Sequence, residues 1–293
     1  MKIQPFSYFT GWFSKPDLKT RVSEKLAQKC DRFFKELSGK SKPIYLRYNR
    51  KVEMAGAHAT SMTKLSGRVI SDQVVAKVVH IHPLFALRRE DLPKDLQIEG
   101  GDDDRLYGET DYYEKLDAWL SKHFKGDVKT NPTTRRIFLP YATLWEDPEL
   151  TEKFQDFVLA HEVAHLFHEH RGWDVTGWEI AAALTCGALL LLGELSLSVA
   201  ASAFLIAAFA LHQFHLYISR KEEYEADLSA YKILKDLDGA EAACMMFQFR
   251  RDLAWGRFSM VEKFLQTLCP FSTHPTPDAR IAALRAATLE KKG

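Results

Sequence analysis

The sequence predicts an α+β protein, mainly helical, with a small sheet, an edge strand and a hydrophobic helical hairpin. Three observations carry that expectation. Apolar residues recur every three or four positions over 17–39 and 111–124, and 154–170 has helical character throughout. Two short runs, 43–49 and 69–81, have the β-branched and aromatic make-up of strands. Residues 180–219 form an apolar stretch whose one formal charge is Glu194. At 293 residues the chain has room for one large domain or two modest ones. The pattern divides into an N-terminal α/β region, 1–130, with no chemical signature, and a domain over 131–290 that carries all of it.

The first stretch, MKIQPFSYFTGWFSK, is not a secretory signal, because its apolar run is short and broken by Pro5 and Gly11. Its aromatics (Phe6, Tyr8, Phe9, Trp12, Phe13) either lie at a membrane surface or pack on the core. In the first helix Leu18, Val22, Leu26 and Cys30 repeat every four residues, Phe33 and Leu37 follow, and Gly39 is a natural stop. In the second strand His80 and His82 flank Ile81 on one face, and read as a pair of exposed histidines rather than a second metal site. Asp102, Asp103 and Asp104 lack the ligand spacing of a calcium loop and read as a solvated turn. The helix over 111–124 turns Leu116, Trp119 and Leu120 inward, with Gly126 closing it. Arg135–Leu144 alternates around Phe138 and is interrupted by Pro140, the mark of an edge strand. Asp147-Pro148-Glu149 then supplies a cap, a first-turn proline and an acidic first turn for the helix that follows.

Composition narrows the function. A formal net charge of +1 leaves no basic excess to neutralise phosphates, which argues against nucleic acid. Cys30, Cys186, Cys244 and Cys269 are widely spaced, as free thiols of a reducing compartment would be.

Chemistry enters at His161-Glu162-Val163-Ala164-His165. Residues four apart on a helix project from one face, so His161 and His165 can reach the same zinc ion at about 2.0–2.1 Å. Glu162 lies about 100° further round, where it is a base for the water that a catalytic zinc activates rather than a ligand. A catalytic site needs a third protein ligand and keeps one position open.

After Glu179 comes Ile180–Gly193, then Glu194, then Leu195–Ser219, 25 residues without a formal charge. The second arm is long enough to span a bilayer, and the first is marginal at about 21 Å. Gly193-Glu194 sits where the turn of a hairpin belongs. If residues on both sides of this stretch bind one metal, the chain must return to the side it left, so a hairpin works and a single span does not. Arg171, Arg220 and Lys221 flank it on the metal side, which places the site on the cytoplasmic face. The soluble alternative is a hairpin buried in a large core.

Past the hairpin, Glu222, Glu223, Glu225 and Asp227 all compete as third ligand on spacing alone. The order His161-Glu162-x-x-His165, apolar hairpin, Ser219-Arg220-x-x-Glu223-Tyr224-x-Ala226-Asp227, then Ser272-Thr273-His274-Pro275 with Arg280-Ile281, resembles the membrane-bound gluzincin metallopeptidases, the family of the CAAX prenyl protease and the heat-shock protease HtpX. The resemblance covers about half the chain, from Arg135 to Leu284, and such relatives usually carry membrane spans before the metal helix, where none is read in residues 1–150.

The resemblance implies a gluzincin-type core with one Zn2+ per chain, held by His161, His165 and Glu223. Asp227 is then the carboxylate that orients a zinc-bound histidine. His274 steadies the oxyanion of the reacting carbonyl or, as in some relatives, caps the zinc at rest. Arg280 binds substrate or holds Asp227. Thr276-Pro277-Asp278 starts a helix and leaves His274 in the loop before it. His168 is expected to face solvent, and His170 matches a histidine of many relatives without being a ligand. The implied function is a zinc endopeptidase acting on protein or peptide substrates at a membrane, in bacterial terms the inner one. It would contact lipid through 180–219 and serve membrane protein quality control. Its rivals are a catalytically silent membrane scaffold and a soluble zinc peptidase.

Overall fold

The computed structural model describes residues 18–40, 44–48, 55–61, 75–97, 110–124, 138, 141–169, 183–185, 187–188, 193, 196–257 and 274–289. Its elements run α1 (Leu18–Ser38), β1 (Ile44–Tyr48), β2 (Ala55–Ser61), β3 (Val75–Ile81), the short α2 (Pro83–Ala86), two 3₁₀ turns, α3 (Thr110–Phe124), α4 (Pro148–His168), α5 (Leu197–Leu234), α6 (Asp238–Arg257) and α7 (Pro277–Leu289). The protein is mainly helical with one small sheet, as expected.

That sheet has three strands in the order β1-β3-β2. β3 is central, parallel to β1 (Ile44 opposite Lys77, Tyr48 opposite Ile81) and antiparallel to β2 (Ala55 opposite Ile81, Ser61 opposite Val75). β2 reads AGAHATS, with no run of large β-branched residues, so it carries no strand signal of its own. Residues 69–74 of the expected second strand lie outside the described residues.

Where it is described, the expected edge strand over 135–144 is helical, and residues 135–137 and 139–140 lie outside the described residues. Phe138 and residues 141–144 are helical, and Tyr141, Leu144 and Trp145 are buried there. Aromatic packing decides it: Tyr141 stands edge-on to Phe85 at 6.4 Å and to Phe154 at 6.0 Å, while Phe138 meets Tyr113 at 6.1 Å. The edge strand that packs beside α4 is β2.

The histidine pair also differs from expectation. β3 ends at Ile81, and His82 is wholly buried, its Nδ1 accepting from the Leu84 backbone N–H at 3.2 Å to cap α2. His80 is half-buried.

α4 is the axis of the molecule: α1, α5, α6, β2 and β3 all pack on it. Its middle is buried on several sides, through Phe154, Phe157, Val158, Leu159, Ala160, Val163, Ala164 and Leu166. Asp147 caps it, accepting from Leu150 N–H at 3.0 Å, with Pro148 in the first turn. Gln155 donates to the Phe85 carbonyl at 2.6 Å, and Lys29 of α1 reaches Glu152 at 2.9 Å and Asp156 at 2.5 Å. Lys77 of β3 donates to the Leu166 carbonyl in its last turns, where a cation also suits the helix dipole.

α5 is one unbroken helix of 38 residues, about 57 Å long. Its N-terminal half is exposed along large apolar residues, with Leu205 66% and Ile206 70% accessible beside Val199, Phe209, Phe214 and Tyr217. Its C-terminal half is buried against α4 through Ala226, Asp227, Ser229 and Ala230. Among the described residues this is the one helix long and apolar enough to cross a membrane. Gly193 has φ 75°, a left-handed conformation that suits glycine, at the position expected for a turn. Most of the expected first arm, with Glu194, Cys186 and His170, lies outside the described residues. Cys30 and Cys244 are buried free thiols.

Candidate metal centre

The pairing of α4 with the C-terminal half of α5 brings together residues 58 or more positions apart in sequence. His161 and His165 lie one turn apart on α4, their Nε2 atoms 3.0 Å from each other. Glu223 faces them from α5, with Oε2 3.5 Å from His161 Nε2 and Oε1 3.4 Å from His165 Nε2. Bonds of 2.0–2.1 Å at tetrahedral angles would set donor atoms about 3.3–3.4 Å apart, close to the 3.4 and 3.5 Å from Glu223 and somewhat wider than the 3.0 Å between the histidines. Among the described residues, this is the one group of three histidine, cysteine or carboxylate side chains converging closely enough for a metal.

Two further observations fit a cation. Glu223 Oε2 is buried and makes no hydrogen bond with any described residue. Around the donors, the buried carboxylates Glu223 and Asp227 face one buried guanidinium, Arg280, which leaves one negative charge to be balanced there. Burial opposes ionisation of Glu223, yet His161 and His165 hold its carboxyl well below the usual range. Burial likewise disfavours a charged His161, but Asp227 and Glu223 together raise it to about 10. A pocket that draws a proton so strongly is built to attract a cation, and a metal would take the place of that proton. The donors, two imidazoles and a carboxylate, match a zinc site with one open position.

Behind the donors stands a buried relay. Asp227 Oδ1 is 2.9 Å from His161 Nδ1, which leaves Nε2 facing the donor cluster. Arg280 of α7 forks onto Asp227, Nε to Oδ2 at 2.7 Å and Nη2 to Oδ1 at 2.5 Å, while its Nη1 lies 3.7 Å from Glu223 Oε2. Phe247 of α6 lies under the guanidinium at 5.1 Å. Of the two roles open to Arg280, holding Asp227 is the contact seen. α7 begins at Pro277, with Thr276 accepting from Ala279 N–H at 3.3 Å. His274 lies in the loop before it, more than half exposed, its Nε2 3.5 Å from Glu223 Oε1. Glu162 is half-buried, and burial raises its carboxyl above the ordinary value against the pull of His161 and His165. Glu222 and Glu225, the rival ligands, do not join the donor cluster.

His168 does not face solvent. Its Nε2 is 2.9 Å from Ser229 Oγ and its Nδ1 3.3 Å from Glu225 Oε1, so it braces the end of α4 against α5 one turn past His165. The Glu225–Ser229 spacing of four was the available signal, but only the α4–α5 pairing shows what it faces.

No curated protein and no solved structure matches the chain. The sequence model of peptidase family M48 matches residues 143–288, a span running from the turn before α4 through the donor cluster to Arg280 and the end of α7. On that match, the chain belongs to peptidase family M48, metallopeptidases of the gluzincin type.

Proposed function

We propose that the protein is a zinc-dependent endopeptidase that cleaves protein substrates at a membrane surface, its site facing the cytoplasm. The observation that carries this reading is the convergence of His161, His165 and Glu223 at ligand spacing around a carboxylate oxygen that makes no hydrogen bond with any described residue. These three residues would hold one zinc, which when bound would polarise the scissile carbonyl and lower the pKa of water to about 7. Glu162 takes a proton from the attacking water and returns it to the leaving nitrogen, so one C–O bond forms as one C–N bond breaks. Burial raises its carboxyl above the ordinary value, which favours taking up and holding the proton. His274, exposed at the mouth of the site, is placed to steady the developing oxyanion, and Asp227 and Arg280 position His161. An extended substrate has an edge to pair with in β2, which among the described residues bonds only to β3.

The exposed apolar half of α5 supports the membrane reading. Residues 197–219 rise about 34 Å, enough for a hydrocarbon core of about 30 Å. Arg220 and Lys221 follow at its end, the side on which cytoplasmic charge accumulates. A hairpin over 180–219 would return the chain to that side, and residues 1–130 would pack beside a peptidase domain over 131–290.

Glu162→Gln in the purified protein should abolish casein cleavage and keep one zinc per chain. Cleavage at the normal rate by that variant would remove Glu162 from the mechanism. A wild-type protein that binds zinc yet cuts nothing would be the silent scaffold.

A further inference from the structure

Four carboxylates follow the apolar half of α5 in close succession: Glu222, Glu223, Glu225 and Asp227. Three of them have partners in the fold. Glu223 faces His161 and His165, Asp227 holds His161 and Arg280, and Glu225 lies 3.3 Å from His168 Nδ1. Glu222 has neither a hydrogen bond nor an ion pair among the described residues, and it stands outside the donor cluster. It is half-buried all the same. As the residue next to Glu223 it leaves α5 at the level of the donors, about 1.5 Å along the axis and about 100° round it. Burial raises its carboxyl above the ordinary value, and the charges that bear on it most are those of His165 and Glu223. Asp227 and Arg280 fill the His161 side, so Glu222 flanks the donors on the His165 side. A carboxylate kept partly from water with no cation to face is costly, and that cost falls when a cation arrives.

We propose that Glu222 is a specificity residue that receives a lysine or arginine side chain of the substrate beside the scissile bond. This rests on the peptidase reading above and adds a side-chain preference to it. A substrate whose carbonyl is attacked at the donors runs its neighbouring side chains past the wall that Glu222 occupies. Successive side chains of an extended peptide point to opposite faces, so one of the residues flanking the bond is turned toward that wall. An ammonium or guanidinium there makes a charge-assisted hydrogen bond, partly shielded from solvent and so stronger than a surface pair. Glutamine at the same place brings no charge and leaves the carboxylate without its counter-ion.

The test uses the full chain in detergent with quenched fluorogenic peptides that differ at a single position. Lysine or glutamine is placed in turn at each of the two residues on either side of the cleaved bond. At one of these positions the lysine peptide should be cut about tenfold faster in kcat/KM than its glutamine twin, by a ratio that falls as salt is raised. Glu222→Gln should bring that ratio to about two or less while zinc stays at one per chain, and Glu222→Lys should favour a glutamate peptide instead. Glu225→Gln, which removes a like charge three residues on, should narrow the ratio less. Binding should give the same ranking. With Glu162→Gln as the background, fluorescence anisotropy should show the lysine peptide held about tenfold more tightly, and adding Glu222→Gln should remove the difference. No lysine preference at any of the scanned positions would overturn the proposal. So would an equal narrowing by Glu225→Gln, or loss of zinc from Glu222→Gln. Failure of the peptidase reading looks different: no peptide is cut, and wild type equals Glu162→Gln.

Discussion

Asp227 and Arg280 are 1% and 3% accessible, so neither can turn to water when its partner is removed. Arg280→Leu strips Asp227 of both guanidinium bonds and leaves its charge paired with His161 alone. Breaking a buried pair in this way costs about 3–5 kcal/mol, a fall in Tm on the order of 10 °C for a large domain. Asp227→Leu should cost a similar amount and do more. It frees Arg280, whose Nη1 already lies 3.7 Å from Glu223 Oε2, to pair with the carboxylate meant for metal. It also unfixes the His161 ring, which for such outer partners lowers metal affinity about 10–100-fold. The double variant should recover part of the stability, because two buried charges are replaced by two apolar side chains, and none of the metal affinity. Thermal melting of the metal-free protein in detergent and a competitive zinc titration separate the two effects. Additive losses in the double variant, or wild-type zinc affinity in Asp227→Leu, would refute the relay from Arg280 through Asp227 to His161.

A Cβ at Gly239 would lie 2.3 Å from the Lys153 carbonyl oxygen and 2.7 Å from its carbon, both backbone atoms. Gly239→Ala must therefore push α6 off α4, and a loss of about 1–3 kcal/mol or more is expected in denaturant unfolding; an unchanged midpoint would contradict the packing. Hydrogen bonding to Lys29 lowers the Glu152 carboxyl from 4.5 to about 2 against the effect of burial. A carboxyl depressed in the folded state adds stability above its unfolded value, so that contribution is lost as pH falls from 4.5 to about 2. Glu152→Gln should flatten stability against pH in that window and leave the slope above it unchanged. His168→Ala and Ser229→Ala each remove a hydrogen bond worth about 1 kcal/mol between α4 and α5. Both should weaken zinc binding without abolishing it, and two variants with wild-type zinc affinity would show that the brace does not bear on the donors.

How much of this was legible in the sequence depended on whether the signal was local. The helices α1, α3 and α4 could be placed because each carries its own period, cap or stop, and Gly39 at φ 69° ends α1 where glycine was expected to. His161 and His165 follow from their spacing on one helix, whereas spacing leaves four carboxylates open as the third ligand and only the resemblance to a known family points to Glu223. What failed was decided by contacts between distant segments. β2 has small residues and exists because β3 offers it an edge. Residues 135–144 alternate like a strand, yet Phe138 and Tyr141 find more partners by turning helically into Tyr113, Phe85 and Phe154 than a strand at a sheet edge would give them. His168 read alone, and His82 read as one of an exposed pair with His80, show no local partner in the sequence. Their partners are a serine on another helix and a backbone N–H in the next turn. The continuity of α5 was hidden for the opposite reason. Its apolar half and its charged half look like two elements in composition, and only the unbroken run from Leu197 to Leu234 joins the stretch that would enter a membrane to the carboxylate that would hold the metal.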